Sequence, residues 1–304
     1  MDINYLNYPP DVLNRLQNVE LEILNKFDQV CQKYGITYWA SFGTAIGAIR
    51  HQNFIPWDDD IDVGVMLDDY DKLLQIPSEE WGNMVFVSGK DDVPYHHSLF
   101  ARLYKKDTVL ESHFRTTYSK SKGWPNNAPM PIWIDIFIFN HFKDLDTVKQ
   151  NINKSLLYRK LYWCSKSGMR INKKDNLRKK IGCITRDIIH RLLNISSNSY
   201  KTIYNKYLNL LRKLDNSGGK YISCLTCSET YEMTGLFCKE EDMFPVVRVP
   251  FANMTIPIPK NYHEILTNIY GDYMSLPPEE KRVNHCPAIL DFGDGKGNVF
   301  LKQQ

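Results

Sequence analysis

Pro56-Trp57-Asp58-Asp59-Asp60-Ile61-Asp62-Val63-Gly64-Val65 sets acidic side chains in alternation inside an apolar stretch. In a strand, successive side chains point to opposite faces, so Asp60 and Asp62 share one face while Ile61 and Val63 point into the core. Adjacent carboxylates repel, and a divalent cation offsets that repulsion. Hard oxygen ligands on one rigid element suit Mg²⁺, which keeps waters and substrate phosphates as its other ligands. A run of aspartates also fits a solvated turn, but the strand-forming residues that follow favour a metal-binding strand. Asp58 extends the same face, and with Asp59 it either orients a metal-bound water or caps the turn.

Upstream, Tyr38 to Phe42 reads as a short apolar strand, followed by a turn at Gly43-Thr44 and a helix of small residues ending at Arg50-His51. Backbone N–H groups at such a helix start attract an anion, and glycine permits close approach. Gly43 and Thr44 are therefore candidate phosphate contacts, with a simple helix cap as the alternative. A phosphate loop beside a metal pair supplies positioning and charge neutralisation, the two requirements of phosphoryl transfer. Arg50 and His51 are placed either to reach a phosphoryl oxygen or to satisfy carbonyls at the helix end. Asp135 lies in the apolar run Ile132-Trp133-Ile134-Asp135-Ile136-Phe137. A charge there is costly unless it is paired or metal-bound, which makes Asp135 a candidate third carboxylate. Near the C-terminus, Lys281, Arg282 and His285 follow a Pro-rich turn and either close over donor phosphates or form a solvated loop.

The stretch GTAIGAIRHQNFIPWDDDIDVGV, Gly43 to Val65, resembles the signature of the LicD family, relatives of fukutin-type proteins on the nucleotidyltransferase fold. The opening helix around Glu22 to Ile36, the strand at Trp133 to Phe137, and the segments Ile256 to Lys260, Tyr270 to Met274, Leu276 to Pro278 and Lys281-Arg282 are similar to family motifs as well. The resemblance covers most of the chain outside residues 144–220. One departure is Ser41-Phe42-Gly43, where the family usually shows two adjacent glycines. The resemblance implies a Mg²⁺-dependent transferase, with Mn²⁺ as the alternative metal. It would move phosphocholine or a similar phospho-substituent from a CDP-linked donor such as CDP-choline to a hydroxyl of a surface glycan, lipopolysaccharide or teichoic-acid precursor. Asp60 and Asp62 would hold the metal, Asp135 would complete the ligand set and serve the acceptor hydroxyl, and CMP would leave. Transfer of ribitol phosphate, glycerol phosphate or a nucleotidyl group is the alternative chemistry. A non-catalytic glycan-binding protein on the same fold is the alternative class.

The 304 residues, 43% of them hydrophobic and 12% aromatic, suffice for a sizeable core. The pattern predicts an α+β fold: a small mixed sheet flanked by helices over residues 1–145, which the resemblance implies is a nucleotidyltransferase-like catalytic core, a basic helical region over 146–220, and a strand and turn region over 221–304 that would complete the cleft. Apolar residues at helical spacing from Val12 to Tyr34, stopped by Gly35, form the first helix. Strands are expected at Tyr38–Phe42, Ile61–Met66, Val85–Ser88, His97–Tyr104 and Ile132–Phe139, and helix from Thr147 to Leu214. A net charge of +3 does not indicate nucleic acid. No secretory leader and no apolar run near the ~20 residues of a membrane span are visible, so the expected place is the cytoplasm, including the inner face of the plasma membrane. The basic run between Lys166 and Arg191 reads as a solvated face, a lipid-headgroup surface or a docking site for an anionic acceptor. Seven scattered cysteines read as reduced thiols. Cys224 and Cys227 have zinc-knuckle spacing, with Cys238, His285 and Cys286 as further ligands, but the alternating pattern around them favours a buried strand over zinc. Trp39, Trp57, Trp124 and Trp133 are candidates for caging a quaternary ammonium, or for the core.

Overall fold

Helix α1 (Pro10–Tyr34) takes its limits directly from its sequence. Pro10 occupies the first helical position, where its fixed φ suits the helix and no amide bond is lost. Gly35 closes the helix at φ +62°, its N–H returning to the carbonyls of Cys31 and Gln32. Leu16, Ile23, Leu24 and Phe27 are completely buried along one stripe that packs on the sheet. The computed structural model describes residues 8–111, 130–166, 176–196, 198–215, 219–227, 237–282 and 284–301. Trp124, Lys173 and Lys174, and the side chain of Lys179, lie outside the described residues.

The central sheet is built from β1 (Tyr38–Ala40), β2 (Asp62–Met66), β3 (Met84–Val87), β4 (Ala101–Lys105) and the long β6 (Trp133–Phe142), while β5 (Val109–Glu111) joins a smaller sheet. Its order is β1-β2-β6-β4-β3; β2 and β6 run parallel and the other neighbours antiparallel. This mixed sheet with helices against it is the α+β architecture that the patterning predicts. Strand β6 shows why one face is dry and the other chemical. Ile134, Ile136 and Ile138 are fully buried toward α1, whereas Asp135, Phe137 and Phe139 alternate onto the opposite face.

Helix α2 (Phe42–His51) connects β1 to the acidic turn before β2, and α3 (Leu67–Leu73) follows β2. The predicted helical stretch resolves into α4 (Leu145–Lys166), α5 (Leu177–Leu193) and α6 (Ser199–Asp215). Helix α6 is tied to the core by the buried Tyr70–Tyr204 hydroxyl pair at 2.7 Å and by Asp215, whose Oδ1 accepts the His141 N–H at 2.7 Å. After α6, β7 (Tyr221–Ser223) adds to the far end of β6. A hairpin, Val247–Phe251 with Met254–Ile258, and helix α7 (Tyr262–Tyr270) then lead to the C-terminal segment.

Two expectations are corrected. The strand expected over His97–Tyr104 begins only at Ala101, and Phe100 before it packs its ring 4.4 Å from that of Phe137, on the chemical face. Cys224 and Cys227 are not thiols but form a disulfide, because the turn that contains them brings their Cα atoms to 5.6 Å. Cys238 and Cys286 are buried free thiols.

Candidate active site

The start of α2 and the start of β2 are stitched together by two hydrogen bonds. The Asp62 N–H donates to Thr44 Oγ1 at 2.9 Å, and the Ser41 N–H donates to the Asp62 carbonyl at 2.9 Å. Parallel register then places Asp62 directly beside Asp135 of β6. From the other side, antiparallel register sets Arg102 of β4 opposite Asp135. Arg102 Nε donates to Asp135 Oδ1 at 2.5 Å, and the same guanidinium lies 4.5 Å over the Trp133 ring. Asp60, Asp62 and Asp135 are thus brought to one end of the sheet, with Asp135 held by an arginine.

The electrostatics record the crowding. Burial, then the charges of Asp60, Asp135 and Asp58, push Asp62 well above the ordinary carboxylate range, with Arg102 opposing. Asp58 is raised to about 8 by burial and by Asp60 and Asp59. Asp60 is raised to about 6 by burial and by Asp59 and Asp135, against the opposing charge of His285. Carboxylates that raise one another in this way form a site short of positive charge. Among the described residues, no three His, Cys, Asp or Glu side chains converge as a complete ligand set.

The other sequence candidates have definite partners. Asp58 Oδ2 occupies the space beside Gly43, only 2.7 Å from where a Cβ would stand, so Gly43 is needed to let this carboxylate approach α2. The Thr44 hydroxyl fixes Asp62, as above. Arg50 Nη1 donates to the Tyr273 and Ser275 carbonyls at 2.6 and 3.2 Å, and its Nε donates to His51 Nε2 at 2.9 Å. Arg50 and His51 therefore clamp the segment after α7 to the end of α2. Arg282 donates to the Pro277 carbonyl and lies 5.0 Å over the Trp57 ring; it stands near enough to Arg50 to help burial lower Arg50's pKa. Lys281 is exposed in a short turn of helix beside it. Asp59 ties down both chain ends: it accepts the Tyr8 hydroxyl at 2.8 Å and the His285 N–H at 2.9 Å, with the His285 ring at 3.1 Å. Hydrogen bonding to Asp59, against burial and with the charges of Asp59 and Asp60, raises His285 to about 9.

No tryptophan cage forms among the described residues. Trp39 is buried in the core, Trp133 carries Arg102 and Trp57 carries Arg282. The accessible aromatic surface beside the carboxylates comes instead from Phe42, Phe137 and Phe100, partly exposed and in mutual contact, with Phe42 5.2 Å from Phe137.

Two residues that sequence reasoning missed, Glu20 and Tyr270, lie near the cluster, as does Arg102. Glu20 interrupts the apolar stripe of α1; it is buried, its Oε2 has no partner among the described residues, and burial with the charges of Asp60, Asp59, Asp58 and Asp62 raises it far above the carboxylate range. An acid among the polar and apolar neighbours of α1 reads as a surface position, so no signal in the sequence marks it. Tyr270, at the end of α7, is 44% exposed as a residue, and desolvation of its hydroxyl together with the charges of Asp62, Asp58 and Asp60 raises its pKa. Arg102 lies, with His96, His97, Asp107 and Thr108, in a segment whose sequence resembles a family strand flanking the site; its pairing with Asp135 depends on the register of β4 with β6.

Residues 35–160 match the LicD/FKTN/FKRP nucleotidyltransferase domain. Over 273 residues, 90% of this chain and 95% of the relative, the sequence is 29% identical to the lipopolysaccharide cholinephosphotransferase LicD of Haemophilus influenzae. Residues 35–160 thus form a LicD-type domain, in a chain that resembles a LicD cholinephosphotransferase along nearly its whole length. It is also similar to the human ribitol 5-phosphate transferase FKRP, 34% identical over 125 residues, which are 41% of this chain and 21% of FKRP. A shorter match, 42% identical over 55 residues, 18% of this chain and 21% of the relative, is to the uncharacterised protein RP689 of Rickettsia prowazekii. The LicD domain, residues 35–160, contains β1, α2, β2, β4 and β6, and with them all of the acidic cluster except Glu20.

Proposed function

We propose that this chain is a transferase of phospho-substituents, moving phosphocholine or a similar group from a CDP-linked donor to a hydroxyl of a glycan or lipid-linked glycan. The observation that carries this reading is the juxtaposition of Asp60 and Asp62 with the Arg102-bound Asp135, at the end of β2 that is stitched to the start of α2. Mg²⁺ on Asp60 and Asp62 would neutralise charge on the donor's diphosphate. The N-terminus of α2, where the buried Ser41 hydroxyl has no partner among the described residues, offers N–H groups to a phosphate. Arg102 orients the Asp135 carboxylate to receive the acceptor hydroxyl. In the transfer, the acceptor oxygen bonds to the distal phosphorus, the bond from that phosphorus to the bridging oxygen breaks, CMP leaves with that oxygen, and the hydroxyl proton passes to Asp135. The Phe42–Phe137–Phe100 ledge would lie against the apolar or ring-bearing parts of the donor.

The similarity to a cholinephosphotransferase along nearly the whole chain supports phosphocholine as the group; the shorter similarity to a ribitol 5-phosphate transferase keeps polyol phosphates as the second reading. Incubation with a panel of CDP-choline, CDP-ribitol and CDP-glycerol plus Mg²⁺ tests both. CMP release from CDP-choline alone supports the first reading, release from a polyol donor supports the second, and thermal stabilisation without CMP from any donor and glycan acceptor would refute transferase activity.

A further inference from the structure

Helix α5 is amphipathic in the wrong sense for a helix that faces water. Its face toward the protein carries polar anchors. The His190 ring is 2.7 Å from the Cys164 carbonyl, the Asn194 amide just past the helix donates to the Ser165 carbonyl at 3.1 Å, and the Arg186 guanidinium lies 4.1 Å over the Trp163 ring. Its outer face carries Leu177, Ile181, Ile184, Ile188 and Leu192, continued by Ile195, at 47% to 83% exposure. At about 100° per residue these six fall within an arc of roughly 80°. A helix in water turns such a stripe inward. Isolated exposed apolar residues are ordinary, but a contiguous stripe marks a contact surface.

The charges beside the stripe indicate what covers it. Arg178 and Arg191 are exposed on its flanks and Lys180 is partly exposed. Asp187, the sole acid within α5, is already paired by Arg191 Nε at 2.9 Å. A second copy of the same face would set these cations against one another, whereas anionic headgroups above an apolar acyl layer complement both the charges and the stripe. None of the described helices is long and apolar enough to cross a membrane. We propose that α5 lies in the plane of an anionic bilayer surface, apolar stripe inward, as a peripheral membrane anchor. The neighbouring Trp163 is half exposed and lines a cleft with Arg159, His97 and Phe100, and the Phe100 ring meets that of Phe137, two residues from Asp135. A bilayer under α5 would thus lie beside this cleft, one wall of which, Phe100, touches the ring that neighbours Asp135 on β6.

Co-sedimentation of the full chain with vesicles tests this without any measurement of turnover, so its outcome is separate from that of the transferase assay. Vesicles of phosphatidylcholine with about one-third phosphatidylglycerol should bind the protein at low salt, pure phosphatidylcholine at least ~10-fold more weakly, and added salt should weaken the anionic binding steeply. Ile184→Ser with Ile188→Ser should lower the partition coefficient by roughly 10-fold per residue at unchanged melting temperature, since both side chains are already exposed. No binding to anionic vesicles at low salt would overturn the proposal, as would binding that the double variant retains. A dimer that the double variant converts to monomer would assign the stripe to a second copy and equally overturn it.

Discussion

The change Asp135→Asn separates the chemical from the structural role of this carboxylate. Both partners of the Arg102–Asp135 pair are 15% exposed, and their contact is 2.5 Å. A charge-assisted hydrogen bond contributes about 1.5–3 kcal/mol, and removing one partner of a buried pair outright costs about 3–5 kcal/mol. Asparagine keeps an oxygen that can accept from Arg102 Nε, so the expected loss is near the lower figure, about 2 kcal/mol, or a fall of roughly 3 °C in melting temperature. If Asp135 receives the acceptor proton, turnover should fall by ~10²–10⁴-fold. Donor affinity should change little, because Asp60, Asp62 and the start of α2 are intact. CMP release at saturating donor, donor affinity by calorimetry and a thermal melt, all on the same preparation, give the three numbers. Specific activity within ~3-fold of the parent in the folded fraction, alongside the stability loss, would refute the chemical role and leave Asp135 as a strut for Arg102.

Asp60 at about 6 and Asp58 at about 8 are both held above the ordinary 3.8, so between pH ~4 and ~8 the folded chain holds protons that the unfolded chain has released. Their contribution to stability therefore falls as pH rises through that window, while Mg²⁺ binding strengthens as they ionise; the rise in melting temperature on adding Mg²⁺ should be larger at pH 8 than at pH 5, and equal rises would count against the metal pair. Gly43→Ala puts a methyl 2.7 Å from Asp58 Oδ2, which should displace that carboxylate and reduce turnover at least ~10-fold while the chain still folds; a variant of parental activity would show that the approach of Asp58 is unimportant. Asp59→Ala strands the Tyr8 hydroxyl and the His285 N–H and should cost about 3 kcal/mol in urea unfolding, and a loss under ~1 kcal/mol would contradict its role in tying the chain ends.

What was legible in the sequence is what depends on local period. Alternation placed Asp62 on β2 and Asp135 on β6, although Asp60, read as sharing the strand face of Asp62, lies in the segment before β2, and the apolar spacing of α1 gave its buried stripe. What was hidden depends on register between distant strands or on which side of a helix meets the protein. Arg102 pairs with Asp135 across 33 residues of chain, a contact that exists only because β4 and β6 meet in one antiparallel register. Thr44 and Arg50 could be read as phosphate ligands from their place after a glycine turn, yet their side chains bond to Asp62 and to the carbonyls of Tyr273 and Ser275, groups contributed by other segments. The lesson is sharpest for α5 and Glu20, where a residue's period is plain but its sense is inverted. Apolar spacing from Leu177 to Leu192 reads as a core-facing stripe in any sequence, and an acid among apolar neighbours at Glu20 reads as a surface position. In the fold, the apolar stripe faces outward and the acid is buried against other carboxylates. Each inversion carries a free-energy penalty in an isolated chain, since apolar surface stays wet and an unpartnered carboxyl is desolvated. Penalties of this kind are retained where another component relieves them, and the two relieving components inferred for this chain are a lipid surface for α5 and a divalent cation for the acidic cluster that Glu20 joins.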